Sequence, residues 1–478
     1  MPLDIKVTGG VVRGRTEAGL AVFRGIPYAA PPARFGAPQP VPPWDGVREA
    51  TRFGPSPPQS AAFGMDVGGD DGGDWLTVNV WSPDLGGGLP VMVWVQGGAY
   101  LFGRSGLPEY DGSNLARDGV VVVTFNYRVG LEGFGHVEGT PVNRGLLDQV
   151  AALEWVGDNI RGFGGDPDLV TLFGQSAGAG SVAALLAMPR AAGLFRRAIA
   201  QSVPGTFFTP DLAADITRAC AAELGLKPED LLTTDPDLLP VAADEVLATM
   251  GRLADRWGRA AHALVPVAPV VDGDVLPTTP WLGLTGRVEL MVGHTRHEQR
   301  LLSAVSGMLG EITPAQAAEA AEVFGPDPQR YREAFPDPEE LYEVVRSDWL
   351  FRMPSLLLAD AQVAAGGPAY LYELTWPAPG MGGSFGACHG LDVPLVFGNL
   401  TAGQPAMLIG DPTPEAEALS EQMRTAWTAF ATYGDPGWPR YDTGATRLFD
   451  VEPLVTTYPE QVSREIWREP PSVLDLAT

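Results

Sequence analysis

One pentapeptide, at residues 174–178, limits the folds open to this chain more than any other feature. It reads Gly-Gln-Ser-Ala-Gly, follows an apolar run at 169–173 and precedes a stretch of small residues at 179–188. A short apolar run is typical of a buried strand, and glycines two positions either side of Ser176 let neighbouring segments approach a cramped turn. The pattern predicts a strand, an abrupt turn and a helix, with Ser176 on the turn.

Ser176 is therefore a candidate nucleophile. A serine hydroxyl attacks a carbonyl carbon poorly unless its turn exposes it beside a base. The helix that begins here also aims free N–H groups, and its positive end, at any oxyanion that develops next to the serine. An ordinary glycine turn is the alternative, because short glycine patterns arise often in a chain with 59 glycines. The flanking strand and helix favour the nucleophile.

A second apolar run, at 91–95, is typical of a parallel strand buried on both faces. It ends in Gln-Gly-Gly-Ala-Tyr at 96–100, whose small residues leave backbone N–H groups unshielded. An acyl-transfer enzyme needs such donors about 3 Å from the negative oxygen of its intermediate, and one comes from the residue after the nucleophile, here Ala177. A plain Gly-Gly turn is the alternative. Because the segment lies upstream of Ser176, we favour an oxyanion-binding loop.

The base and the acid follow by elimination, because the chain has only five histidines. The expected order along the chain is nucleophile, acid, histidine, which excludes His136. A strand predicted at 289–293 is followed by a loop that ends in Glu298, and only His389 lies beyond that carboxylate. His389 would take the proton of Ser176 and return it to the leaving group, while Glu298 fixes the imidazole tautomer. In isolation, a histidine in a glycine loop is more often a solvated or capping residue.

Short motifs in a constant order along nearly the whole chain resemble those of the type B carboxylesterases. This family includes bacterial para-nitrobenzyl-type esterases and, more distantly, the cholinesterases. The motifs are Phe-Arg-Gly-Ile-Pro-Tyr-Ala at 23–29, Thr-Val-Asn-Val-Trp at 77–81, Asn-Tyr-Arg-Val-Gly at 126–130, Asn-Ile at 159–160 with Phe-Gly-Gly-Asp-Pro at 163–167, Asp-Val-Pro at 392–394 with Val-Phe-Gly at 396–398, and Tyr-Gly-Asp-Pro at 433–436.

The resemblance implies the α/β-hydrolase fold, an α/β architecture with a large, mostly parallel central sheet flanked by helices and with inserted helical cap segments. It implies a catalytic triad of Ser176, Glu298 and His389, in agreement with the elimination above. It also implies an oxyanion hole made by the backbone amides of Gly98, Ala99 and Ala177.

Some positions depart from the family pattern. Gln96 stands where bacterial members usually have histidine, but the donors of that loop are main-chain groups, so we expect activity to survive. Gln175 stands where many relatives have glutamate, and a neutral amide there weakens the case for choline esters. Ser202 is a candidate hydrogen-bond partner for the acid, with a buried structural hydroxyl as the equal alternative.

The motifs of a single site span residues 96–389, so a domain boundary between them would split the site. We therefore predict one domain over residues 1–478, with helical insertions around 206–260 and 300–365. Both insertions are rich in alanine, leucine and acidic residues at helix-like spacing. Such helices would roof the pocket, and plain helical packing is the alternative.

The formal net charge of −26 argues against nucleic acid or an anionic membrane surface as a partner. The N-terminus lacks the apolar core of a signal peptide and no apolar run is long enough to span a bilayer, so we expect a cytoplasmic protein. The histidines do not have zinc spacing, and the glycine- and aspartate-rich segment 66–74 lacks a calcium-loop pattern and is expected to be a surface loop. No metal or organic cofactor is expected. Sequence leaves a monomer and a small homo-oligomer open.

Four aromatic residues near the motifs, Tyr100, Phe102, Phe134 and Phe385, are candidates for an apolar pocket wall, although most aromatics only pack the core. Such a pocket suits a small-molecule ester with an aryl or short-to-medium acyl chain. The expected activity is hydrolysis of a carboxylic ester through an acyl-enzyme. An acyl transferase or cyclase would use the same triad. A non-catalytic binding scaffold is disfavoured because the triad residues are all present. Cys388, beside His389, is disfavoured as a nucleophile because the serine turn already fills that role.

Overall fold

The structure is a computed structural model that describes residues 2–30, 33–61 and 73–477. The strands are β1 (Pro2–Val7), β2 (Gly10–Glu17), β3 (Leu20–Pro27), β4 (Val47–Glu49), β5 (Thr77–Ser82), β6 (Leu89–Val95), β7 (Val121–Phe125), β8 (Gly165–Gln175), β9 (Arg197–Gln201), β10 (Glu289–Thr295), β11 (Ala369–Leu374), β12 (Ala445–Phe449) and β13 (Leu454–Thr457).

The α-helices are α1 (Ser113–Arg117), α2 (Gly130–Phe134), α3 (Arg144–Asn159), α4 (Ala177–Ala187), α5 (Pro210–Glu223), α6 (Leu238–Thr249), α7 (Ala254–Ala263), α8 (Pro280–Gly283), α9 (Glu298–Val305), α10 (Pro314–Phe324), α11 (Pro328–Ala334), α12 (Pro338–Ser347), α13 (Met353–Ala364), α14 (Asp392–Phe397), α15 (Ala406–Ile409), α16 (Pro414–Tyr433) and α17 (Gln461–Ile466).

The strands form a single sheet in the order β1-β2-β3-β5-β7-β6-β8-β9-β10-β11-β12-β13, with β4 paired to β2. The run from β7 to β12 is parallel, while β1, β2, β3 and β5 at one edge, and β13 at the other, are antiparallel. Central strands such as β6 are apolar along their length because helices cover both faces. The predicted α/β architecture with a large, mostly parallel sheet is confirmed.

The predicted strand, turn and helix around Ser176 are present as β8 and α4, which are separated by that one residue. The flanking glycines are explained by contact distances. A Cβ added to Gly178 would lie 2.0 Å from the carbonyl oxygen of Val95 in β6, and one added to Gly174 would lie 2.7 Å from the backbone of Gly178. Only glycine permits this close crossing of β6, β8 and α4.

Helices occupy most of the two ranges predicted as insertions: α5, α6 and α7 in the first, and α9 to α13 in and around the second. The division of the chain into one domain with insertions stays a prediction. Most of the expected surface loop at 66–74 lies outside the described residues. None of the helices in the described part of the chain is both long and apolar enough to cross a bilayer.

Candidate active site

Ser176 lies at the carboxyl end of a central parallel strand, where the chain reverses into a helix. Its backbone has φ 58° and ψ −127°, a conformation that costs a non-glycine residue on the order of 1–3 kcal/mol. The cost is offset locally, since the Ser176 amide donates to the carbonyl of Gln201 in β9 at 2.9 Å and its carbonyl accepts from Gly180 at 2.9 Å. The strained turn places the half-buried Ser176 at the carboxyl ends of the parallel strands.

The loop after β6 runs beside this serine. A Cβ added to Gly97 would lie 3.2 Å from the Cβ of Ser176, so the two backbones are in contact distance. Gly98 and Ala99 both have positive φ, 114° and 52°, which turns their amides out of any regular ladder. Within the described ranges, neither amide donates a backbone hydrogen bond. Ala177, the first residue of α4, has an N–H that precedes the intrahelical pattern.

Glu298 is fully buried and held from two sides. Its Oε1 accepts from the hydroxyl of Ser202 at 2.6 Å and from the backbone amide of Thr295 at 2.8 Å. Its Oε2 lies 2.5 Å from Nδ1 of His389. Glu298 is also the first residue of α9, where the helix dipole favours a negative charge.

These contacts keep the Glu298 carboxylate ionised. Burial alone would raise its pKa, but the charge and hydrogen bond of His389, together with the Ser202 hydroxyl, outweigh burial and lower the pKa of Glu298 below its ordinary value. A buried anion of this kind requires partners on each oxygen, and it has them. The carboxylate can therefore stabilise positive charge on the neighbouring imidazole.

The imidazole of His389 has a partner on each ring nitrogen. Nδ1 faces Glu298, and Nε2 lies 3.2 Å from the side-chain Nε2 of Gln175. Because Nδ1 must carry a proton toward the carboxylate, neutral Nε2 is an acceptor and the Gln175 amide is its donor. Among the described residues, the Ser176 hydroxyl makes no hydrogen bond to this nitrogen. The structure thus brings Glu298 and His389 together, and Gln175 rather than Ser176 contacts Nε2 of the imidazole.

Two loops are joined at the site. The amide of His297 donates to the carbonyl of Ala387 at 2.8 Å, and the amide of Ala387 donates to Nδ1 of His297 at 3.2 Å. These bonds tie the residue before Glu298 to the segment that carries His389. The loop of His389 is thereby fixed to the end of β10, and His389 itself is only 8% exposed.

Phe351 is a site residue that the sequence did not reveal. Its ring stacks on the imidazole of His389 at 4.2 Å between centroids and 23° between planes. Phe351 lies in a π-helical turn, Asp348–Arg352, between α12 and α13. The wider turn shifts the side-chain positions relative to an α-helix, so helical periodicity gives no signal that Phe351 faces His389.

A second buried carboxyl group lies close to the imidazole. Asp392 accepts from the amide of Gln201 at 2.8 Å, and that amide's oxygen accepts from Trp427 at 3.0 Å. Burial raises the pKa of Asp392 to about 6, while the hydrogen bond of Gln201 lowers it and the nearby Glu298 raises it further. Asp392 is therefore less readily ionised than Glu298, although both are buried beside His389.

The aromatic candidates differ in their surroundings. Tyr100 and Phe134 pack on each other at 4.7 Å between centroids and are 3% and 1% exposed, as core residues are. Phe385 is buried in a different apolar cluster, and Phe102 is partly buried against the main core. Their role as a pocket wall stays a prediction.

Both cysteines are free and buried, and burial raises the pKa of Cys388 and of Cys220 to about 12. A thiol with such a pKa is a poor nucleophile at neutral pH. In the part of the chain that the structure describes, no group of histidine, cysteine and acidic side chains could hold a metal ion.

Comparison with known proteins gives one consistent result. A family model described as the carboxylesterase family matches residues 2–453. The chain is 36% identical over 481 residues to the para-nitrobenzyl esterase of Bacillus subtilis (strain 168), covering 95% of this chain and 96% of that protein. It is 35% identical to the phenmedipham hydrolase of Pseudarthrobacter oxydans, covering 91% of this chain and 92% of that protein.

Solved structures agree. A carboxylesterase of Geobacillus stearothermophilus superimposes with a TM-score of 0.85 at 34% identity, covering 97% of this chain and 100% of the other. A structure described as a PNB esterase superimposes with a TM-score of 0.84, also at 34% identity, covering 98% and 99%. The family model, the relatives and the solved structures each match nearly the whole chain and agree with one another. This chain therefore belongs to the carboxylesterase family and is a carboxylic ester hydrolase with the α/β-hydrolase fold.

Proposed function

We propose that Ser176 is the nucleophile of this ester hydrolase, with His389 as its general base and Glu298 as the acid that orients the base. The contact that carries the proposal is the one between Glu298 Oε2 and His389 Nδ1, at 2.5 Å in a buried setting. It leaves Nε2 as the basic nitrogen, which lies 3.2 Å from the side-chain nitrogen of Gln175, the residue before Ser176. A carboxylate in this position also stabilises the imidazolium that forms during the reaction.

Acylation would begin with transfer of the Ser176 hydroxyl proton to Nε2 of His389 as Oγ bonds to the ester carbonyl carbon. The carbonyl electron pair moves to oxygen, which the amides of Gly98, Ala99 and Ala177 would receive. When the intermediate collapses, the bond to the leaving alkoxy oxygen breaks and that oxygen takes the proton from Nε2. The products of this half-reaction are a free alcohol and an acyl group on Ser176.

Deacylation repeats the sequence with water in place of the serine. His389 takes a proton from water as its oxygen bonds to the acyl carbon, and it returns the proton to Oγ of Ser176 when the acyl bond breaks. The release of a carboxylic acid regenerates the enzyme. An alcohol or amine in place of water would give acyl transfer, and the same residues serve both outcomes.

The proposed substrates are esters with an aryl group or a short-to-medium acyl chain. The names of two relatives, a para-nitrobenzyl esterase and a phenmedipham hydrolase, support aromatic compounds as substrates. The neutral side chain of Gln175, next to the nucleophile, supports uncharged rather than cationic esters, because no anion stands there to attract an ammonium group. The oligomeric state and a cytoplasmic location stay predictions.

Hydrolysis of para-nitrophenyl acetate and butyrate tests the proposal, with Ser176→Ala as the variant. We expect kcat to fall by roughly 10⁴- to 10⁶-fold. Cys388→Ala is the matched control, since it removes the buried thiol next to His389 and is expected to keep activity. Equal release of para-nitrophenolate by wild type and Ser176→Ala would overturn the assignment. Addition of methanol separates the alternatives, because a transferase would form the methyl ester in preference to the acid.

A further inference from the structure

Gln175 forms a hydrogen bond with Nε2 of His389, the nitrogen on which the proposed mechanism depends. An imidazole nitrogen that accepts hydrogen bonds has a single lone pair in the plane of the ring. In this structure the Gln175 amide donates to that lone pair at 3.2 Å. The hydroxyl of Ser176 needs the same lone pair to lose its proton. The two donors, which are neighbours in the chain, therefore compete for one acceptor.

The orientation of the amide follows from the other side of the ring. The Glu298 carboxylate accepts from Nδ1, so in neutral His389 the proton is on Nδ1 and Nε2 has none. Only the NH₂ end of the Gln175 amide can then bond to Nε2, because its oxygen would meet a lone pair. The carboxylate and the amide together hold one tautomer of the imidazole and stabilise its neutral form.

Few contacts hold the Gln175 side chain against His389, so a bound ester could displace it. Within the described residues, its bond to His389 is its only side-chain hydrogen bond. By contrast, Gln201, its register partner on β9, is held at both ends of its amide by Trp427 and Asp392. Two glycines also lie next to the Gln175 amide. The Cβ that Gly390 lacks would lie 3.9 Å from its nitrogen, and the one that Gly97 lacks would lie 3.3 Å from its oxygen.

We propose that Gln175 is a positioning residue that occupies Nε2 of His389 in the unliganded enzyme, so that Ser176 gains its base only when a bound ester displaces the amide. Resting Ser176 is then less reactive than its strained turn alone would make it. The proposal rests on the assignment of Ser176 and His389 above, and it adds a step that precedes acylation. The energy of one hydrogen bond sets its size, about 2- to 10-fold in the reactivity of the free enzyme.

Two measurements test the step. The first is the rate at which diethyl para-nitrophenyl phosphate, a small neutral triester, phosphorylates the enzyme and releases one equivalent of para-nitrophenolate. Gln175→Met keeps the length of the side chain without a donor, and Gln175→Asn keeps the amide without the reach. We expect both variants to react about 2- to 10-fold faster than wild type. Gln362→Met, at a buried glutamine that bonds to Val288 instead, is the control and is expected to react at the wild-type rate.

The second measurement is the ¹⁵N spectrum of protein labelled in its histidines, with the signals of His389 assigned by their loss in His389→Gln. In wild type, Nε2 of His389 is expected to show the shift of a hydrogen-bonded acceptor, and Ser176→Ala should leave this shift unchanged because Gln175 is the donor. Adding Gln175→Met to Ser176→Ala removes both donors and should move the shift toward that of a free acceptor. This readout does not require catalysis. A shift that already moves in Ser176→Ala, a shift that does not move when Gln175→Met is added, or equal or slower phosphorylation in both Gln175 variants would overturn the role of Gln175. Failure of every protein to release para-nitrophenolate would instead count against Ser176 as the nucleophile.

Discussion

Glu298 and His389 are 91 residues apart in the chain, and the carboxylate Oε2 of the first lies 2.5 Å from Nδ1 of the second. This contact forms because both residues follow strands that are neighbours in the sheet. Glu298 lies three residues after the last residue of β10, and the loop that carries His389 follows the neighbouring strand β11. Both segments leave the carboxyl ends of parallel strands, and two hydrogen bonds between His297 and Ala387 hold them together, one between backbone groups and one from the Ala387 amide to the His297 imidazole.

Glu298→Gln should remove most of the activity without disturbing the site. The amide of Thr295 can only donate, so it selects the oxygen of the new side chain and turns the NH₂ group toward Nδ1 of His389. The imidazole must then accept at Nδ1 and carry its proton on Nε2, which is the wrong tautomer for a base. We expect kcat/KM for para-nitrophenyl butyrate to fall by about 10⁴-fold. A loss of less than about 10-fold would show that Glu298 does not set the tautomer.

Ser202→Ala should destabilise the ionised form of Glu298 while leaving the carboxyl group in place. The variant leaves Oε1 of Glu298 with the single donor Thr295, and a hydrogen bond to a charged group contributes about 1.5–3 kcal/mol. We expect kcat to fall by about 10- to 100-fold with KM little changed. Ser420→Ala is the control, since that buried hydroxyl donates to a carbonyl of Leu395 instead. If both variants behave alike, Ser202 is only a packing residue.

Phe351→Leu should lower kcat by about 2- to 10-fold, the range expected for loss of one aromatic stacking contact. The ring lies flat on the imidazole of His389, so leucine leaves the base free to tilt. Phe351→Tyr keeps the aromatic face and should restore kcat. Phe163→Leu removes a buried ring that packs on Phe23, and it should lower the melting temperature while kcat stays at the wild-type value. Equal kcat in Phe351→Leu and wild type would contradict a role in positioning.

Asp392 should make the protein less stable as pH rises. Its pKa is raised from 3.8 to about 6 in the folded chain, mainly by burial. When the pKa of a group is higher in the folded than in the unfolded chain, the group stabilises the fold fully at pH values below its unfolded pKa. This stabilisation is lost as the pH rises through the folded pKa. Asp392→Asn removes this titration. Relative to wild type, its free energy of unfolding should rise by about 2 kcal/mol between about pH 4.5 and 7.5.

Urea unfolding at the two pH values measures this difference. Asp168→Asn, at a side chain that is 85% exposed, is the surface control for the substitution itself. A constant difference between Asp392→Asn and wild type would show that Asp392 ionises as freely in the folded chain as in the unfolded one.

The sequence predicts best those parts of the site in which a short motif determines both the backbone conformation and the reactive side chain. The turn at Ser176 was predictable because a buried strand, two glycines and a small-residue helix must all meet there, and the contacts of Gly178 with Val95 show why. The pairing of Glu298 with His389 was predictable as a hypothesis, because few histidines follow the turn and the order of the residues is restrictive.

Contacts that depend on side-chain packing could not be predicted. Phe351 reaches His389 through a π-helical turn, and hydrophobic periodicity does not distinguish such a turn from the α-helix around it. The sequence shows that Gln175 lacks the negative charge of a glutamate, but the bond of Gln175 to Nε2 of His389 depends on how this side chain is oriented at the end of β8. The ionisation of Asp392 likewise depends on burial, which the sequence does not give.

Acid-quenched mass spectrometry during turnover of para-nitrophenyl butyrate tests the central claim most directly. The account predicts a butyryl group on the peptide that carries Ser176, absent in Ser176→Ala. His389→Gln should form it far more slowly, because no base accepts the serine proton. A butyryl group on Cys388 or any other residue, or substrate turnover without any acylated peptide, would contradict the account.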